Sequence, residues 1–333
     1  MSNIKFVGPQ VPVSRILTGF WSLDNATMNN RGERGWTVPS YVEVYGKEGV
    51  GKTNFAVSIS GIIATHLKKD ISFLDFEIQD MGTVEDILTN AGFEGTVRLI
   101  REKKDEECLE KLLDTVEDEH YGAGILDSIA AISPIAEQEG KIGDANMGRR
   151  AMNMSQFSRK SVRMMQRRES PFSLICTNHS HPTIGGRVAG TDTSGGVTHK
   201  FMSHYRILLS KAYWKNKTMK FDNGWLLKGR IEKSRMGYAF RDFYVFMVAG
   251  EGLHVGLSAM FDCLLYEYAE LNRTVKMDDL TYGTIKNLID NRNDTKLFIP
   301  FINKLRSVEA KRQESEDDDE YEYEQVDDEE SNE

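Results

Sequence analysis

Val42-Glu43-Val44-Tyr45-Gly46-Lys47-Glu48-Gly49-Val50-Gly51-Lys52-Thr53 is the stretch from which the rest of the chain can be read. An apolar, alternating strand runs into G-x-x-x-x-G-K-T, and Phe55, Ile59, Ile62, Ile63 and Leu67 then mark one face of a helix. Glycines let consecutive backbone N–H groups turn inward towards phosphate oxygens, and the helix start adds its positive dipole end. The expected cradle is Gly46, Lys47, Glu48, Gly49, Val50, Gly51, Lys52, Thr53 and Asn54. Lys52 suits the β- and γ-phosphates and the Thr53 hydroxyl suits Mg²⁺. A chance glycine turn would lack the strand before and the helix after. The motif therefore predicts a bound nucleoside triphosphate.

Composition sets the outer limits. The 333 residues are 40% hydrophobic and 28% charged, as in a soluble globular protein with one large α/β core and a smaller appendage. The start Met1-Ser-Asn-Ile-Lys5 leads into no apolar run of signal-peptide length, and no stretch approaches a membrane span. Cys108, Cys176 and Cys263 are odd in number and widely spaced, which suggests neither a disulfide framework nor a zinc site and fits a reducing cytoplasm. The net charge of −9 is unevenly placed. Residues 314–333 hold 13 of the 51 acidic side chains and no basic one, so the body is left slightly basic. That tail is either a solvated, disordered solubility segment or a polyanion mimic that competes for a basic surface.

In chain order, residues 1–15 form a polar arm, and Ile16–Asp24 a compact apolar turn. From Tyr41 onward strands and helices alternate, which predicts a mostly parallel sheet covered on both faces. Ile71–Glu77 and Gly122–Ser128 read as buried strands that deliver Glu77 and Asp127 at their carboxyl ends, where ligands of such sheets bind. Asp127 is the expected second Mg²⁺ anchor, and Glu77 the group that polarises an attacking water.

Glu137–Gly148 is a polar, glycine-punctuated loop, followed by a helix carrying Arg149, Arg150, Arg159, Lys160, Arg163, Arg167 and Arg168. Its basic face is either solvated or a phosphate-binding surface. Phe172–Thr177 reads as a strand ending at Asn178-His179, and Ser180–Thr198 as a long loop with Gly185, Gly186, Gly190, Gly195 and Gly196. Lys228 and Arg230 alternate on one face of a later strand, and residues from about Leu257 to Arg312 read as a small helical region.

With Ala130–Gly148, the phosphate loop, Glu77, Asp127 and Gly195-Gly196 together, the chain resembles the bacterial RecA recombinase family, phage relatives included, from about Leu17 to Gly256. The resemblance implies a RecA-like P-loop ATPase core (16–256) with a mostly parallel central sheet. It adds a short N-terminal arm (1–15), a small helical C-terminal region (257–312) and a disordered acidic tail (313–333). It implies ATP and Mg²⁺ as cofactors and single- and double-stranded DNA as partners. It implies a homo-oligomeric filament that pairs and exchanges strands, served by a loader and a single-strand-binding protein. Lys52 and Glu77 match catalytic positions, Thr53 and Asp127 the metal-associated ones, and His179 the γ-phosphate sensor, with histidine in the style of the phage branch. Lys228 and Arg230 match cations that reach a neighbouring subunit's ATP, and Phe201 an interface residue that relays nucleotide state.

The first DNA loop brings Gly140, Lys141, Gly143, Met147, Gly148, Arg149 and Arg150, with Ser155 and Arg159 on the helix after it. The second brings Arg187, Ser194, Gly195 and Gly196. Three features depart from the family pattern. Met152 stands where members carry a DNA-contacting arginine, no adenine-stacking tyrosine can be placed, and the arm is shorter than the family's oligomerisation helix, which leaves Lys5–Gly8 or another surface for that contact. Two alternatives to strand exchange follow from the same core: a ring helicase, or a paralogue that uses ATP to gate loading of another recombinase.

Overall fold

The computed structural model describes residues 13–135, 148–182, 191–214, 217–218 and 220–312. Gly140, Lys141, Gly143, Met147 and Arg187, the segment Lys5–Gly8 and the acidic tail all lie outside the described residues. An antiparallel ribbon of β1 (Ser14–Ile16) and β2 (Trp36–Val38) brackets a short helix, α1 (Trp21–Ala26). The main sheet begins with β3 (Ser40–Gly46), buried along its whole length. It continues with β4 (Asp70–Asp75), β5 (Val97–Ile100), β6 (Tyr121–Asp127), β7 (Ser173–Pro182), β8 (Thr191–Thr193) and β9 (Tyr205–Lys211). Later strands extend it: β10 (Gly224–Ser234), along which Lys220–Phe221 pairs antiparallel, β11 (Asp242–Val248) and β12 (Gly252–Leu253).

The spatial order is β12-β11-β10-β9-β3-β7-β6-β4-β5. The six strands from β9 to β5 run parallel, and β10 to β12 extend the sheet as an antiparallel wing. Strand alternation divides two cores. Val42 and Val44 of β3 pack with Phe55, Ile59 and Ile63 of α2 (Lys52–Leu67) and with Val84, Ile87 and Leu88 of α3 (Met81–Asn90). Tyr41, Leu74 and Leu126 pack with Leu109, Leu112 and Leu113 of α4 (Asp105–Glu117) and with Met154 and Phe157 of α5 (Arg149–Met165). A sheet covered on both faces is why its parallel strands read as near-continuous apolar runs.

Two expectations change here. The loop foreseen over Ser180–Thr198 is shorter, because Ser180–Pro182 pairs antiparallel with β8 and α6 (Gly196–Met202) starts directly after Gly195. The basic helix ends at Met165, and Arg168 beyond it is a buried structural residue rather than part of a basic face. Its Nη1 donates to the carbonyls of Val116 and Asp118 at 2.7 and 2.8 Å, its Nη2 to that of Tyr121 at 2.6 Å, and its Nε to that of Ser170 at 3.0 Å. The guanidinium also lies 5.1 Å from the centre of the Phe172 ring. A fork with five donors suits this many carbonyls, and a lysine does not.

The chain divides into two compact units between His254 and Val255. The second holds α7 (Val255–Leu265), α8 (Ile285–Asp290) and a helix over 299–312, and helices were expected there. It also holds an antiparallel sheet of β13 (Glu270–Asn272), β14 (Thr274–Met277) and β15 (Leu280–Gly283). Its tight turn places Asp278 and Asp279 at φ 48° and 65°, with Met277 paired to Leu280. Aspartate tolerates this left-handed backbone, but it signals a hairpin less strongly than Asp-Gly does.

Arg168→Ala should destabilise the protein by about 2–4 kcal/mol, since several buried carbonyls lose their donor at once. Urea denaturation followed by circular dichroism measures this, and Arg168→Lys should recover only part of the loss.

Candidate active site

The strand-to-helix turn is built as the motif requires. Gly49 and Gly51 adopt φ of 66° and 106°, in the left-handed region that favours glycine. A Cβ on Gly46 would fall 2.4 Å from the Leu209 carbonyl oxygen. Lys52 opens α2 and is buried, its Nζ donating to the Lys47 carbonyl at 3.2 Å. Burial pulls its pKa below the usual lysine value, against the opposing pull of Glu77, Asp127 and Glu48. The cleft beside it, of about 260 Å³, is lined among others by Thr53, Asn54, Glu77, Gln79, His179 and Trp225.

Asp127 ends β6 and is buried. Thr53 Oγ1 donates to its Oδ2 at 2.8 Å, Gln79 Nε2 to the same oxygen at 3.2 Å, and Thr177 Oγ1 to Oδ1. Burial raises the Asp127 pKa to about 6; Glu77 and Asp75 push the same way, and the Thr177 and Thr53 hydrogen bonds oppose them. Glu77 Oε1 accepts from Ser128 Oγ at 2.5 Å and lies 3.1 Å from His179 Nε2. His179 reaches the cleft because β7 pairs it with Gly46, the first glycine of the loop. The turn that carries Glu77 is shaped by Asp75, whose carboxylate accepts the Glu77 and Gln79 N–H groups at 3.0 and 2.9 Å and Arg101 Nη2 at 2.8 Å.

These residues fit a Mg²⁺–nucleoside triphosphate. Thr53 and Asp127 supply a hydroxyl and a carboxylate that are already hydrogen-bonded to each other, and Lys52 supplies a dehydrated cation. Among the described residues no three His, Cys, Asp or Glu side chains gather closely enough to hold a metal by themselves. Mg²⁺ commonly takes one or two protein ligands and completes its shell with phosphate oxygens and water.

Behind this cleft lies a second polar cluster that the sequence did not reveal. Glu43 on β3 is fully buried; its Oε1 accepts from Asn178 Nδ2 at 2.8 Å and its Oε2 from Arg206 Nε at 2.6 Å, with His199 Nε2 at 3.6 Å. Burial pushes the Glu43 pKa up, but His199 and Arg206 together hold it well below the usual carboxylate range. Asn178 Nδ2 also donates to the Ser194 carbonyl at 2.8 Å, and Arg206 Nη2 to Thr193 Oγ1 at 3.2 Å. His199 on α6 bonds Tyr41 OH through Nδ1 at 2.6 Å. The next residue along β7 from Asn178 is the cleft's His179.

The remaining candidates fall into three places. Gly195 and Gly196, with φ of 94° and 81°, sit where a Cβ would come within 2.8 Å of Ile129 Cγ2 and Ala151 Cβ respectively, so close packing on the turn after β6 and on α5 requires them. Gly148 caps α5 at φ 93°. Arg149 and Arg159 are exposed on α5, Ser155 is half-buried, and Arg150 Nε donates to the Ile132 carbonyl at 2.6 Å. Phe201 on α6 is 64% exposed. Lys228 and Arg230 do not line the cleft of their own chain. Lys228 Nζ pairs with Asp242 at 2.6 Å, and Arg230 lies 3.6 Å from both Glu232 and Asp242. The pairing with Asp242 comes first in raising the Lys228 pKa above the usual lysine value. Sequence reasoning assigned no role to Glu43, Asp75, Thr177, Gln79 or Trp225; of these, Glu43 and Asp75, acids in otherwise apolar strands, offered a signal.

Asp127 yields a prediction with a definite sign. A carboxyl whose folded pKa exceeds its unfolded value of about 3.9 holds its proton more tightly when folded, so stability falls as pH rises from about 4 to 6. Asp127→Asn removes that dependence. Without Mg²⁺ or nucleotide, the variant should be more stable than the parent at pH 7, by about 1–3 kcal/mol. The gap should close near pH 4. Urea titrations across pH 4–7 provide the test.

The RecA N-terminal domain family matches residues 5–254. The chain is 30% identical to the Protein RecA of a Nitratiruptor species over 253 residues, 73% of this chain and 68% of that protein. It is 29% identical to the Protein RecA of Treponema pallidum, covering 76% of this chain and 59% of that one. Against the Protein RecA of Thermus thermophilus it is 27% identical, covering 74% and 70%. With the family match spanning three-quarters of its length and the phosphate loop, Glu77 and Asp127 assembled around one cleft, this chain belongs to the RecA family.

Proposed function

We propose that the protein is a DNA-dependent ATPase that assembles on single-stranded DNA as a filament and carries out homologous pairing and strand exchange. The observation that carries this is the cleft lined by Lys52, Thr53, Glu77 and His179 at one Gly-rich helix start, with buried Asp127 hydrogen-bonded to Thr53 behind it. Phosphoryl transfer asks the protein mainly for positioning and charge neutralisation. Lys52 and the loop amides answer the phosphates, Thr53 and Asp127 hold Mg²⁺, and Glu77 orients the attacking water. His179 is hydrogen-bonded to Glu77, and turning to the γ-phosphate frees that carboxylate. Asn178, the next residue, carries the change through Glu43 and Ser194 to the end of the second DNA loop.

Lys228 and Arg230 point away from their own cleft, which supports their use at a neighbour's ATP. Lys52→Ala and Lys228→Ala should each abolish DNA-stimulated hydrolysis. Mixing the two variants should restore part of it, because some interfaces then combine an intact loop with an intact Lys228. A mixture as inactive as its parents excludes the shared site. Electron microscopy with single-stranded DNA and ATP, paired with a strand-exchange assay, tests the larger reading. Exchanging filaments support it, rings that unwind duplex favour the helicase, and binding without exchange favours the loading paralogue. The affinity for phage members rests on His179 and the compact architecture only, and the relatives above are bacterial.

Thirteen acidic residues in 314–333 make the tail a competitor of DNA for the body's basic surface. Its removal should tighten binding to single-stranded DNA, and most at low salt, in fluorescence-anisotropy titrations. Equal affinity with and without the tail leaves it as a solubility segment.

A further inference from the structure

Trp225 lies on β10, in the antiparallel wing, yet its side chain reaches the phosphate loop. The indole Nε1 donates to the Val50 carbonyl at 3.0 Å, and its six-membered ring covers Gly51 so closely that a Cβ there would lie 3.2 Å from Trp225 Cζ2. Part of the side chain packs on the core behind α2, and the rest borders the cleft. Among the described residues that line this cleft, it supplies the only phenyl or indole surface.

Its position within the cleft follows from peptide geometry. In a trans peptide the C=O of Val50 and the N–H of Gly51 point in opposite directions. The N–H groups of such a loop face the phosphates. A ring anchored to the Val50 carbonyl therefore sits on the outer side of the loop, clear of the phosphates and free of charge. What remains of a nucleotide to meet that ring is the nucleoside. The Val50 hydrogen bond and the contact with Gly51 fix the ring plane beforehand, so stacking upon it orders no further side chain.

We propose that Trp225 is the base platform of this site: the indole, locked to Val50, stacks against the base of the bound nucleotide. The proposal rests on the nucleotide reading above and deepens it, and it supplies an aromatic contact where no stacking tyrosine could be placed. Stacking reads area rather than hydrogen-bonding edges, so the platform strengthens binding without choosing the base by its edge.

The test compares Mg²⁺-ATP with Mg²⁺-tripolyphosphate, which has the phosphates and no nucleoside, on the full chain and on Trp225→Ala and Trp225→Phe. Trp225→Ala should bind ATP about 5- to 150-fold more weakly, with the affinity for tripolyphosphate unchanged. Trp225→Phe should retain most of the ATP affinity. Independently of affinity, ATP should quench the tryptophan emission of the parent protein, tripolyphosphate should not, and the quench should vanish in Trp225→Phe. Parallel losses for ATP and tripolyphosphate would reduce Trp225 to a brace of the loop and overturn the proposal, as would a quench that both ligands produce. A parent protein that binds neither ligand instead defeats the nucleotide reading itself.

Discussion

A single buried carboxylate ties the strand that feeds the phosphate loop to the three elements packed behind the cleft. Glu43 sits fully enclosed in the strand that feeds the phosphate loop, and an isolated charge there would be prohibitively costly. It persists because Asn178 of β7 and Arg206 of β9 donate to it and His199 of α6 stands 3.6 Å away. Each of those elements is thereby held in register with β3. Breaking such a group by removing one partner is costly, whereas the intact group adds little net stability. Its contribution is placement: the end of β8, the start of α6 and the strand bearing His179 cannot shift independently.

At the carboxyl ends of the neighbouring strands the charges are left unbalanced in a way that suits binding. Asp75, Glu77 and Asp127 gather at the carboxyl ends of β4 and β6, with Lys52 as the nearby buried cation. Asp75 is neutralised by Arg101 and by backbone donors, so it acts as a scaffold for the turn. Asp127 has hydroxyl and amide donors but no cation of its own, and burial keeps its proton on to about pH 6. A divalent ion beside it would favour the ionised form and remove that cost. A carboxylate that resists its own charge until a cation arrives is the electrostatic form of ligand-driven order.

Much of this was legible in the sequence, for reasons that differ by residue. The phosphate loop combines strict spacing with a local strand-to-helix switch, and both are written in adjacent residues. Glu77 and Asp127 could be found because each follows an apolar run at the point where a parallel strand must end. Glu43 could not be assigned, since its partners lie 135 residues away or more in the chain and only the β3–β7 and β3–β9 registers bring them close. Arg168 looked like one more cation on a basic helix until the helix stopped three residues short of it. Gly195 and Gly196 read as part of a long loop, and the fold adds the close approach of Ile129 to the first and of α5 to the second. The sheet around Asp278-Asp279 was missed because its strands are only three or four residues long.

The β10 strand shows how one element can serve two sites. Side chains alternate across a strand, so Trp225 and the pair Lys228 and Arg230 differ in parity and leave the sheet on opposite faces. Leu227 and Ile231 share the parity of Trp225 and are buried in the core beneath α2, which fixes that face as the one turned to the chain's own phosphate loop. Lys228 and Arg230 share the other face with Glu232 and, across the ladder, Asp242, which occupies them when no neighbour is present. On the shared-site reading, a neighbour's triphosphate must draw both cations away from Asp242, so assembly exchanges an exposed ion pair for contacts to phosphate. Exposed pairs are weak, and phosphate contacts made in an excluded cleft are stronger, so the exchange favours the nucleotide-bound interface. On that reading the strand's two faces answer to two nucleotides, and occupancy of one site bears on the geometry of the next.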